Sequence, residues 1–411
     1  MTLKGTSIRL SAACAIALAG ALGASPVCAD AVTDWNIRSG QLVSSAGLST
    51  PAANRVMALV QTAAFDAANA ISRRYASAAP TIEAAAGASI DAAIAAAHRA
   101  ALTPLLPASR AAIDEAYRTA LSALPDDTAT RNGVAVGDRA AAAVLAARAN
   151  DGAEATAEYR PSTTAGVYVP TVMPLVTQWP QRRPWLMSRP DQFRPGPPPA
   201  LRSADWARDY GEIRAIGGAR SRTRTAEQTA VARFWETSLP PIFHGLVRGV
   251  ALMPGRDVTQ NARLFAMVAQ ATDDAVIAVF DAKYHYGFWR PVTAIRNGDL
   301  DGNDATAREA AWLPLIETPL HPEYPCAHCI VAATVGTILR ADVGDGPQPV
   351  WTTTSVSAVG AARRWATVDD FIQEVSDARV HGGLHFRTST QVAIAMGRQI
   401  GALAVARAPR N

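Results

Sequence analysis

Lysine is almost missing from this chain: of 39 basic residues, only Lys4 and Lys283 are not arginine. Cysteine is scarce too, with four in 411 residues, and charged residues of both signs make up only 18%. Basic and acidic residues number 39 and 35, and the arginines are scattered without interleaved aromatics, which argues against a nucleic-acid-binding stripe. Beyond the first 24 positions there is no apolar run of about 18 residues, so nothing downstream reads as a membrane span.

The one long apolar run stands at the beginning. Lys4 and Arg9 precede Leu10 to Ala24, and Val27-Cys28-Ala29 supplies the small residues of a cleavage site, so residues 1–29 read as a secretory signal peptide. The run is too short for a stable membrane anchor. The expected product, residues 30–411, is soluble and periplasmic or secreted. Cys14 and Cys28 leave with the peptide, whereas Cys326 and Cys329 remain in a compartment where disulfides persist. The same removal leaves 37 basic residues against 35 acidic ones, so the high share of arginine does not make a basic surface.

Alanine fills much of what remains. Between Pro51 and Ala149 apolar residues recur at helical spacing, as in Val56, Val60, Ala63, Ala64, Ala67 and Ile71. The spacing predicts helices over 51–74, 84–103, 108–123 and 127–149, punctuated by Pro80, Pro104, Pro107 and Pro125. Further helices are expected over 204–217, 225–236, 261–280, 327–339, 357–375 and 388–406, the second of these opened by a Thr225-x-x-Gln228 capping box. Between 150 and 203 regular helix is excluded, because ten prolines fall between Pro161 and Pro199. A segment of this kind is either a linker or a wrap that borders a site. The expected fold is all-α, a multi-helix bundle in one helical domain, 30–411. Scaffold helices and the wrap occupy 30–260, and a catalytic core occupies 261–411.

Three landmarks carry the chemistry. Lys283-Tyr-His-Tyr-Gly-Phe-Trp-Arg290-Pro291 comes first, Pro325-Cys326-Ala327-His328 follows 33 residues later, and Arg379-Val-His-Gly-Gly-Leu-His385 follows after 50 more. Together they bring three cations and two imidazoles. A phosphate or vanadate needs several cationic donors at fixed angles, for which arginine supplies a planar fork and lysine a point charge. Backbone N–H groups at the start of the 327 helix complete such a cradle, and Gly382 and Gly383 let the chain approach closely beside His385. One histidine attacks phosphorus or coordinates vanadium as neutral imidazole while the other shuttles a proton. Asp273 or Asp274 either orients one of the cations or lies on a solvated helix face. The acidic stretch Asp299 to Asp304 lacks the glycine and the terminal glutamate at the offsets that a calcium loop requires and reads as a solvated turn.

The order Lys283-x6-Arg290-Pro291, Pro325-x-x-His328 and Arg379-x5-His385 resembles the signature of the vanadium-dependent haloperoxidase and type 2 phosphatidic acid phosphatase superfamily. Asp34-Trp35-Asn36, Ala64-Phe65-Asp66-Ala67-Ala68-Asn69 and His321-Pro-Glu-Tyr-Pro325 look like its soluble bacterial haloperoxidase branch. The resemblance implies that His385 is the vanadium ligand, or the nucleophile that becomes phosphohistidine, and that His328 is the acid–base group. It places Lys283, Arg290 and Arg379 on the oxyanion, with Cys326, Ala327 and Gly383 at further oxyanion-binding positions. The implied cofactor is vanadate, or phosphate in the alternative, and the substrates are small molecules: peroxide and halide, or a phosphate ester.

This chain also departs from the family pattern. Pro-Ser-Gly-His is here Pro325-Cys326-Ala327-His328, so a thiol, a weaker donor, stands for a hydroxyl, and a methyl stands beside a backbone N–H. Ala378 replaces a serine before Arg379. Peroxide and hypohalous acid oxidise a free thiol, unless Cys326 and Cys329 pair across the first helical turn. A haem attachment is excluded because Ile330 stands where that motif needs histidine, and a zinc site from Cys326, Cys329 and His381 is disfavoured. The open readings are an exported haloperoxidase, an acid phosphatase acting through a phosphohistidine, and a non-catalytic oxyanion-binding or thiol-redox protein.

Overall fold

The structure is a computed structural model and describes residues 30–76 and 82–409. The expected signal peptide, with Cys14 and Cys28, and the expected break at Pro80 lie outside the described residues.

Four helices follow the alanine pattern. Helix α2 (Thr50–Ser72) opens where the Ser49 side chain caps the Ala52 N–H with Pro51 in the first turn. Helices α3 (Ile90–Leu105), α4 (Arg110–Ser122) and α5 (Thr128–Ala147) succeed it. Pro104 lies inside α3 instead of ending it. Small residues let these helices touch closely: a Cβ added at Gly137 of α5 would collide with the Ala93 carbonyl of α3.

The pattern did not single out α1 (Ala31–Ser45), α8 (Pro240–Ala251) or the short α10 (Pro291–Arg296). The capping box at Thr225 does open α7 (Ala226–Phe234), after α6 (Ala204–Ile216). The element that organises the bundle is α9 (Val258–Tyr286), 29 residues long with 22 of them buried. It packs against α2, α11 (Ala327–Val343) and α13 (Arg387–Arg407), and one hydrophobic core runs continuously from Val32 to Ala404. Helix α9 runs on past the expected end at 280, so Lys283 lies in its last turn. Gly287 then stops it with φ +56°.

The helix expected over 357–375 is corrected. Its first half is strand β2 (Ala358–Trp365), antiparallel to β1 (Trp351–Ser355), and only Val368–His381 forms the helix, α12. Alanines and arginines favour helix there, but Trp351 pairs with Trp365, and Trp365 packs on Phe371 and Trp235. That packing overrides local preference.

Residues 150–203 are irregular apart from one 3-10 turn, and α9 holds them. Arg182 lies between Asp151 at 2.8 Å and Asp273 at 2.6 Å. The Trp185 indole donates to Asp273, and the backbone N–H groups of Trp185, Leu186 and Met187 close on Asp274 at 2.6 to 2.8 Å. Arg194 grips Asp281 through two bonds of 2.7 Å. Asp273 and Asp274 therefore neither orient a cradle cation nor face solvent; they anchor the wrap. Asp301 likewise departs from the expected solvated turn: it is buried and accepts from the Trp206 indole at 2.7 Å. No described helix is long and apolar enough to cross a membrane.

Candidate active site

The three landmarks meet at the C-terminal end of α9. Lys283 comes from its last turn, and Arg290 sits at the cap before Pro291 opens α10. His328 lies in the first turn of α11, Arg379 in the last turn of α12, and His385 just ahead of α13. A cavity of 260 Å³ opens among them, lined by Ala327, His328, Arg379 and His385, with His321 and Phe280 on its wall. Lys283 and Arg290 stand behind that wall.

Backbone carbonyls hold the cations. Lys283 Nζ donates to the carbonyls of Pro322 at 2.9 Å and Glu323 at 2.7 Å. Arg290 donates through Nε to His321 O at 2.8 Å and through Nη1 to Leu384 O at 2.9 Å, and its Nη1 also lies 3.3 Å from His385 Nε2. Arg379 donates to the Trp235 carbonyl, while its Nε is buried without a partner among the described residues. All three side chains are buried, and Glu323 is the carboxylate among them.

Glu323 fixes His385: its Oε1 accepts from His385 Nδ1 at 2.9 Å and from the Phe386 N–H at 3.0 Å. The imidazole thereby turns Nε2 toward Arg290. Burial pushes the Glu323 carboxyl up to about 7, against the pull of Lys283 and Arg290. Burial pushes the cations down, Arg290 to about 10, and repulsion by Arg290 adds to burial for Arg379, pushed to about 9, and for Lys283, held well below its ordinary value. His328 and His385 are held well below theirs by burial and then by these neighbours, so both are neutral imidazoles near pH 7.

Two expected participants do not serve as expected. The Gly383 N–H donates to Val380 O, and a Cβ there would strike Gly217 and Pro314, so with φ +78° this glycine shapes the turn and offers no donor to an oxyanion. Cys326 forms a disulfide with Cys329, with Cα atoms 5.4 Å apart, so its sulfur has no hydrogen to donate. Ala327 lines the cavity: its φ is not positive, and neither its N–H nor that of His328 has a partner among the described residues.

Glu323 and His321 were not assigned roles from sequence, although both lie in the quoted His321-Pro-Glu-Tyr-Pro325 segment. The signal was a carboxylate bracketed by prolines between two landmarks. The supporting carbonyls of Trp235, Pro322 and Leu384 have no signature in side-chain chemistry.

Unpartnered donors, surplus positive charge and neutral imidazoles fit a multiply charged oxyanion such as vanadate or phosphate. Among the described residues no group of three or more His, Cys, Asp or Glu could hold a metal cation.

Known proteins share this fold and part of this sequence. Residues 263–411 match the family described as the VCPO second helical-bundle domain. A vanadium chloroperoxidase of Curvularia inaequalis is 31% identical over 175 residues, covering 35% of this chain. The match spans only 28% of that relative's length. The crystal structure of a bacterial vanadium-dependent iodoperoxidase superposes with a TM-score of 0.78 at 22% identity, over 91% of this chain and 96% of that one. A holo-type bacterial vanadium-dependent chloroperoxidase gives 0.72 at 21% identity, over 87% and 91%. The fold is that of the vanadium-dependent haloperoxidases. Within that haloperoxidase fold, the matched domain holds every cradle residue named above, from Lys283 to His385.

Proposed function

We propose that the chain is an exported enzyme that holds vanadate and oxidises halide with hydrogen peroxide. One observation carries the reading: three buried cations gather around one buried carboxylate, Glu323, beside a cavity that Arg379 and two neutral imidazoles line. Bound vanadate would supply an electrophilic centre that activates peroxide.

The chain's own residues do the rest. Because Nδ1–H of His385 is committed to Glu323, Nε2, which faces Arg290 Nη1 at 3.3 Å, is the ring's ligand atom. Lys283, Arg290 and Arg379 offset the negative charge of the oxyanion, and the N–H groups at the start of α11 add directional donors. His328 Nε2 has no partner among the described residues, so it is free to hold a proton at the cavity and release it. The disulfide ties up both thiols, Cys326 and Cys329, that an oxidant would otherwise attack beside the cavity. It also supports export, since such bonds persist outside the cytosol. N-terminal sequencing of the periplasmic or secreted product tests that part, with a start near Asp30 expected and an intact Met1 contradicting it.

Purified protein given vanadate, peroxide and bromide should brominate a phenolic dye between about pH 5 and 8. No bromination, with iodide and chloride also inert and vanadate demonstrably bound, sinks the haloperoxidase reading. Hydrolysis of a phosphate ester without vanadate, with a phosphohistidine trapped at His385, would establish the phosphatase reading instead.

A further inference from the structure

A second cavity, of 470 Å³, opens between α2, α5, α9, α13 and the wrap. Its interior is apolar, with Phe65, Val144, Leu186 and Met267, and it is separate from the cradle. Gln270 in its wall precedes Lys283 by 13 residues on α9, ~20 Å along the axis. Asp66, from the Ala64 to Asn69 segment that the cradle leaves unused, also lines it.

Three guanidinium groups ring the mouth. Arg148 stands 3.7 Å from the Trp185 ring centroid and donates to the carbonyls of Arg183 at 2.8 Å and Pro184 at 3.1 Å. Arg407 donates to the Leu186 carbonyl, and Arg263 to that of Pro409 at 2.8 Å. The chain around 183–186 and 407–409 thus gathers all three at one edge. Their hydrogen bonds go only to backbone carbonyls, Arg148 and Arg263 also lie over the Trp185 and Tyr75 rings, and none forms an ion pair among the described residues. Asp66 is not their counter-ion: it has no hydrogen bond or ion pair among the described residues, and burial alone pushes its carboxyl up to about 7.

We propose that this cavity binds an amphipathic carboxylate, its apolar chain inside and its acid group against Arg148, Arg263 and Arg407. Apolar walls favour burial of the chain, and the arginine forks match a carboxylate.

Calorimetric titration of the full protein with dodecanoate, below its micellar concentration, tests this. Binding is expected in the wild type, and Arg263→Gln/Arg407→Gln should weaken it about tenfold or more, the worth of one charge-assisted hydrogen bond. Ala143→Phe, which fills the chamber without touching an arginine, should weaken it as well. Vanadate binding should be unchanged in both variants, showing that the cradle is still folded. At pH 8, Asp66→Asn should bind dodecanoate as well as or better than the wild type. The proposal is overturned if dodecanoate does not bind, if dodecylammonium binds as tightly, or if the double arginine variant keeps wild-type affinity. It is equally overturned if the variants dissociate an oligomer without dodecanoate binding, which would make this face a contact between copies of the chain.

Discussion

Helix α9 carries two buried charge clusters, and they are built on opposite plans. Around Asp273 and Asp274 each charge finds a partner within the chain: Arg182 bridges Asp151 and Asp273, and three backbone N–H groups close on Asp274. At the far end of the same helix, Lys283, Arg290 and Arg379 outnumber the buried Glu323 and the exposed Glu236 of the cavity lining, and donors on Arg379 and α11 go unused among the described residues. Burial does not separate the two, and neither does a displaced pKa, because Asp274 is itself pushed up to about 6. Charge balance separates them. Burying an unpaired charge costs several kcal/mol, so a surplus of like charge in a cavity marks a place where something outside the chain completes the account.

The largest expected effect lies in the closed cluster. Arg182→Met leaves Asp151 and Asp273 buried without their shared cation and should cost about 3–5 kcal/mol in chemical denaturation. A loss below about 1 kcal/mol would erase the contrast. In the open cluster the same kind of change should do the reverse: Arg379→Met removes one of three repelling cations, so stability should stay within about 1 kcal/mol of wild type or rise, while vanadate affinity falls about a hundredfold. Parallel unfolding and binding measurements on that one variant separate stability from function.

Glu323→Gln should have a smaller effect, about tenfold on vanadate affinity, by loosening the orientation of His385. Unchanged affinity would remove Glu323 from the positioning role. A separate test is pH dependence. The Glu323 carboxyl is pushed up from 4.5 to about 7 in the folded protein, so the folded state holds that proton more tightly than the unfolded chain. Its contribution to stability is full below about 4.5 and is lost as pH rises toward about 7. Denaturation midpoints across that window should fall more steeply in the wild type than in Glu323→Gln, and parallel slopes would refute the assignment.

Much of this contrast could be read from sequence, though unevenly. The cradle's side chains lie in three landmarks whose residue types state their chemistry, and the helices under them follow from alanine-rich periodicity. Asp273 and Asp274 were ambiguous because periodicity says that they lie on α9 and nothing about the irregular wrap that folds over them. The hairpin at 351–365 was hidden because its Ala-Arg strand favours helix until Trp351 and Trp365 meet. The resemblance puts Gly383 and Cys326 at oxyanion-binding positions, yet a backbone turn uses the first and a cross-link uses the second. Carbonyls that hold the cations belong to the backbone, so no residue type announces them.

The central claim is that the cradle's surplus charge is balanced by a bound oxyanion. The direct measurement is the thermal unfolding of wild type and Arg379→Met with and without vanadate. A ligand at a hundredfold excess over its Kd stabilises by about 2.7 kcal/mol, so the wild-type Tm should rise by several degrees while the variant scarcely moves. No rise in the wild type, or the same rise in both, would contradict the account.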